Sequence, residues 1–134
     1  MNRRELRETI FKLLFRAEFF SAEEMGGQVA FFFDDEENLG ALSREGEIKA
    51  KLDNILERKA ELDRLLGERV EGWDVGRMGK VDLAILRLAL YEMLFDEDIP
   101  EGVAINEAVE LAKKYGQENS RAFVNGVLSK YTVK

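Results

Sequence analysis

The 134-residue chain contains no cysteine and no histidine. Without cysteine there is neither a disulfide nor a thiolate metal site. Without histidine the commonest general base and the commonest metal ligand are both missing. A Ser-His-Asp triad, a Cys-His pair and most zinc sites are therefore excluded. Glycine loops of the G-x-x-x-x-G-K and G-x-G-x-x-G types, which cradle phosphates, are absent as well. The acidic run Asp34-Asp35-Glu36-Glu37 lacks the spaced ligands and the glycine of a calcium loop, and reads as a solvated turn. The expectation is a protein that is not an enzyme and uses no cofactor and no metal. Apolar runs of membrane-spanning length are missing, as is a signal-peptide apolar region at the N-terminus, so the expected location is cytoplasmic. Proline occurs once, at Pro100, and no strand pattern is visible.

What remains is a chain of helix formers long enough for one domain with a real core, expected to span residues 1–134. The spacing predicts an all-α fold. Leu6, Ile10, Leu13, Leu14 and Ala17 form one stripe of a first helix over 4–20. A short second helix is expected to end near the acidic run 34–37, after Phe31-Phe32-Phe33. Three adjacent phenylalanines cannot all face one core, so one is exposed, meets a partner or fills a gap between helices. That surface is compatible with a homodimer, another partner or none.

Residues 43–70 read as one long helix or two abutting ones, with a phase break near Arg58-Lys59-Ala60 and Ser43 as the cap. Residues 80–97 are apolar nearly all round, which predicts a central buried helix. Two helices then follow Pro100. Val103, Ile105, Ala108, Leu111 and Ala112 mark the first, Gly116 is expected to stop it, and Asn119 or Ser120 to cap the second. Asn106 and Glu107 are expected at a helix start, satisfying backbone donors. Asn125-Gly126 is a hairpin dipeptide, but its helical flanks assign Gly126 to close helix packing instead.

The net charge of −7 is unevenly spread. Residues 1–16 carry +3, residues 113–134 carry +4, and the stretch between them carries −14. Basic ends on an acidic body suit RNA binding at one face. Arg3, Arg4 and Arg7 cluster at the start of the first helix, with Lys12 one to two turns on. Free backbone N–H groups at that helix start are expected to favour an anion. Lys114, Tyr115, Asn119, Arg121 and Phe123 surround the turn at 116–120. Cations there suit a phosphate backbone, and rings suit unstacked bases.

The string VAINEAVELAKKYGQENSRAFVNGVL, residues 103–128, strongly resembles the C-terminal signature of the NusB family of bacterial transcription antitermination factors. RRELRETIFKLLF looks like that family's arginine-rich first helix, and GWDVGRMGKVDLAILRLALYEM like its central segment. Phe15 stands where the family often has tyrosine, and Ser129 where aspartate is frequent. The resemblance implies about seven helices in two packed bundles. It also implies binding to boxA, a short single-stranded RNA element of ribosomal RNA leader transcripts. It implies partnership with the ribosomal protein NusE and, through it, with elongating RNA polymerase. RNA contacts carry over to Arg3, Arg4 and Arg7 and to Tyr115, Asn119 and Phe123, with Lys12, Lys114 and Arg121 added for their charge. Asp82 is the candidate for the NusE-facing surface. Two other readings stand beside this one: a detached RNA-binding domain of an RNA cytosine methyltransferase, and a helical adaptor that binds only proteins.

Overall fold

The computed structural model describes residues 1–132, which form seven α-helices, two 3₁₀ helices and, among the described residues, no strand. The helices are α1 (Arg3–Arg16), α2 (Ala22–Asp34), α3 (Glu45–Glu57), α4 (Lys59–Arg69), α5 (Lys80–Phe95), α6 (Glu101–Tyr115) and α7 (Ser120–Ser129). The 3₁₀ helices are Glu36–Arg44 and Val75–Arg77. Lys134, counted in the basic C-terminal stretch, lies outside the described residues. Two compact units divide the chain, the first Met1–Leu56 and the second from Glu57 onward. No helix among the described residues is long and apolar enough to cross a membrane.

The first unit starts with two capping boxes. The Asn2 side chain accepts from the Glu5 N–H at 2.8 Å, and the Glu5 carboxylate accepts from the Asn2 N–H at 3.3 Å. Ser21 and Glu24 repeat the exchange at the start of α2. Each box satisfies donors that a helix start otherwise leaves open. α1 closes at Arg16 rather than at residue 20. The chain leaves it through tight turns, with the Glu18 N–H donating to the Phe15 carbonyl and the Phe19 N–H to that of Arg16. α2 ends at Asp34, at the start of the acidic run, with Phe32 and Phe33 buried and Phe31 67% exposed. The solvated turn expected at 34–37 is followed by no loop: residues 36–44 wind into a 3₁₀ helix that packs against α2 and runs directly into α3. Ser43 therefore lies inside a helical run and caps nothing.

In the second unit α5 is the centre. Its residues from Leu83 through Glu92 are all buried, and α4, α6 and α7 each pack against it. The break foreseen near Arg58 is real, because α4 begins at Lys59. Arg87 of α5, 3% exposed, donates through Nε and Nη2 to the two carboxylate oxygens of Asp63 in α4, both at 2.9 Å. A forked pair of this kind fixes both distance and orientation between two helices. The Tyr131 hydroxyl donates to the Leu65 carbonyl at 2.8 Å and ties the turn after α7 to α4.

Three expectations for the last two helices need correction. Val103 points outward, 41% exposed, and Ala104 takes the buried place. Asn106 and Glu107 lie in the second turn of α6, because the helix already starts at Glu101, so they cannot serve its first donors. Gly126 is exposed, and a Cβ built there meets nothing within 4 Å, so no helix packs closely on it.

Candidate nucleic-acid interface

The basic residues of α1 divide by burial. Arg3 and Arg4 are exposed in its first turn. Lys12 is exposed too, with Nζ 3.7 Å from the Glu8 carboxylate. Arg4, Glu8 and Lys12 follow one another at i, i+4 and share a helix face. Arg7 belongs to the core side instead. It is only 6% exposed and already holds an interaction within the chain. The Asn2–Glu5 box also changes the expected anion site, because it takes up the Glu5 N–H and places a carboxylate at the helix start. An anion there would be held by the Arg3 and Arg4 side chains rather than by bare backbone.

The second group forms at the α6–α7 hairpin. α6 brings Lys113 and Lys114 into its last turn, where the helix dipole favours cations. Lys113 pairs with Glu110 at 3.2 Å, whereas Lys114 Nζ sits 5.4 Å from the centre of the Tyr115 ring. Gly116 then ends the helix. Its N–H donates to the Ala112 carbonyl at 2.9 Å, and its backbone is extended, not left-handed. The reason for glycine is space: a Cβ at this position falls 2.6 Å from Ser120 Cβ and Oγ and 2.7 Å from the Ala112 carbonyl oxygen.

Ser120 holds the other side of the turn. It is buried, its Oγ accepts from the Gln117 N–H at 2.9 Å, and its N–H donates to the Gln117 carbonyl at 3.0 Å. This reciprocal bracket replaces the expected side-chain cap. Asn119 occupies the cap position through its backbone alone, and its carbonyl accepts from the Phe123 N–H. The Asn119 side chain is thus exposed and unused by the helix. The bracket carries no family of residues that single-sequence reading recognises, although a serine four residues after a helix-ending glycine is its visible trace.

Tyr115 and Phe123 are both half-buried. Asn119 and Phe123 stand one turn apart on the same side of α7. Arg121 is exposed but lies two residues from each, so at about 100° per residue it leaves from the opposite flank. Lys114 and Tyr115 thus end α6, Asn119 and Phe123 open one side of α7 across the turn, and Arg121 leaves α7 from the other flank.

Asp82 lies in the first turn of α5 and is half-buried. Its Oδ1 is buried and has no hydrogen-bond partner among the described residues. A carboxylate oxygen in that condition is costly until a donor reaches it. No group of acidic side chains among the described residues is arranged to hold a metal ion.

The profile of the NusB family matches residues 4–132. A relative described as transcription antitermination protein NusB from Agathobacter rectalis is 51% identical over 131 residues, covering 98% of this chain and 99% of its own. Among solved structures, T. maritima NusB is 36% identical with a TM-score of 0.78, covering 97% of this chain and 89% of its own. A crystal structure of the antitermination factors NusB and NusE in complex with dsRNA is similar at 26% identity and a TM-score of 0.74, covering 95% of this chain and 92% of its own.

Proposed function

The chain belongs to the NusB family, and from that premise we propose that it is a cytoplasmic, non-enzymatic transcription antitermination factor. It binds boxA RNA of ribosomal RNA leader transcripts together with NusE, and through NusE it acts on elongating RNA polymerase. Residues 1–134 serve as one RNA-binding domain. The observation that carries this reading is the α6–α7 hairpin, where a sterically enforced turn brings a cation, an exposed amide and two half-buried rings within ten residues. Lys114 meets phosphate, Tyr115 and Phe123 meet bases, and the exposed Asn119 amide supplies donors and an acceptor.

Arg3, Arg4 and Lys12 add phosphate contacts in the first unit, and Arg121 adds charge without sharing the Asn119 flank. Arg7, being buried, contributes by holding α1 in shape for Arg3 and Arg4. Asp82 receives a donor from NusE, which would satisfy its buried oxygen.

The test is fluorescence anisotropy with boxA and a scrambled RNA, with and without NusE. boxA is expected to bind more tightly when NusE is present, and more tightly than the scramble. Replacing Arg3 and Arg4 together by alanine should weaken boxA binding about tenfold, or about 1.4 kcal/mol, with the melting temperature unchanged. Arg7→Ala should instead lower the melting temperature. Equal affinity for both RNAs in the presence of NusE would refute the sequence-specific reading.

A further inference from the structure

Residues 17–43 contain seven acidic side chains and no basic one. The same stretch holds half of the large exposed apolar side chains among the described residues, including Phe31 at 67%, Leu39 at 56% and Leu42 at 43%. The flanking cations are already committed. Arg16 Nη1 donates to Gln28 Oε1, and its guanidinium lies 5.5 Å from the Phe32 ring centre. Arg44 forks onto Glu47 and also donates to the Met1 carbonyl.

Geometry unites these residues. Gly27, Ala30, Phe31 and Asp34 follow at i, i+3, i+4 and i+7, and all are exposed on one face of α2. The 3₁₀ helix carrying Leu39 and Leu42 packs against α2, and the Asn38 amide donates to the Phe32 carbonyl at 2.9 Å across the acidic corner 34–37. α2 also carries adjacent interior glycines, Gly26 and Gly27. Neither has a positive φ, and a Cβ at either would meet nothing within 4 Å. Each costs the helix roughly 1 kcal/mol relative to alanine, and no contact in the fold calls for either.

We propose that the outer face of α2 with the adjoining 3₁₀ helix is a docking surface for a basic, amphipathic segment of a partner protein. An apolar side chain of that segment seats on Phe31 and Leu39, while its cations face Asp34, Asp35, Glu36 and Glu37. Bare backbone at Gly26 and Gly27 admits a close approach. Charge selects the occupant. RNA is repelled by a stretch without a single cation, and a symmetric pairing of two copies would set like charges against each other. None of the residues named for this surface is among those proposed for RNA.

The isotopically labelled full chain is titrated with a synthetic helical peptide of lysines around one leucine stripe, and with a scrambled peptide of the same composition. The striped peptide should bind at least about tenfold more tightly, with NMR shifts centred on residues 27–42. Phe31→Ser should remove most of that preference. A second variant, with residues 34–37 changed to their amides, should weaken both peptides without moving the melting temperature. Equal affinity for the two peptides overturns the proposal, as do shifts centred on α1 or on the α6–α7 hairpin. Self-association in sedimentation velocity that Phe31→Ser abolishes also overturns it, because the face is then covered by a second copy.

Discussion

Gly116 shows how one residue can be required by space alone. Its φ and ψ are open to any amino acid, yet a Cβ would strike Ser120 and the Ala112 carbonyl at 2.6–2.7 Å. Neither neighbour yields easily, one being backbone and the other buried in the Gln117 bracket. Gly116→Ala should therefore cost about 2 kcal/mol, read by chemical denaturation, and should disturb RNA binding through the turn. Tyr131 illustrates a titratable residue. Burial raises its phenol above the usual tyrosine value, Arg69 opposes the shift and Glu68 adds to it. A raised folded value means that its stabilisation is complete below the unfolded value of about 10 and is lost as pH rises through the folded value. The hydroxyl must keep its proton to donate to Leu65. Tyr131→Phe should cost about 1 kcal/mol at pH 7, and the gap between the two melting curves should narrow above about pH 10. At this scale the sequence identified chemistry better than position. Gly116 as a stop and Lys114 as a surface cation were legible from their neighbours. Arg7 was not, because a cation next to Leu6 at the edge of a stripe can turn either way, and only packing decides.

Among the elements, α2 carries residues that do not serve its own stability. Only Met25, Phe32 and Phe33 are buried among its thirteen residues, and two glycines sit in its interior. Gly27→Ala should raise stability by about 0.5–1 kcal/mol in thermal melts, since nothing obstructs the added methyl group. The helix persists because the Ser21–Glu24 box closes its start and two adjacent rings anchor its end, Phe32 and Phe33 meeting edge to face at 5.4 Å. The period of the apolar residues located α1, α5, α6, α7 and the helical run 43–70, and it placed a phase break near Arg58, between α3 and α4. It missed the 3₁₀ segment 36–44, whose turn residues Asn38, Leu39 and Gly40 look like loop and become helical only where α2 supports them. It also gave Ser43 a cap that the uninterrupted 3₁₀-to-α passage makes unnecessary.

Across the whole molecule, charge is segregated by function. The cationic ends hold the residues proposed for RNA, and the anionic stretch 17–43 holds the proposed protein-docking surface. RNA affinity should therefore fall linearly with salt on logarithmic axes, and removing Arg3 or Lys114 should each reduce the slope by about one. Isothermal titration at several salt concentrations measures this directly. The sequence alone was enough to determine the all-α class, the buried central helix α5, the exclusion of histidine- and cysteine-based catalysis, and the family. These follow from composition, periodicity and residue order, all of which are local properties of the chain. Tertiary structure decided which side of each helix is covered. It buried Arg7 and Ser120, turned Val103 outward, left Gly126 open and exposed Phe31 beside two buried phenylalanines. Helical period establishes which residues share a face, but burial depends on what packs there, and those contacts join residues far apart in the chain.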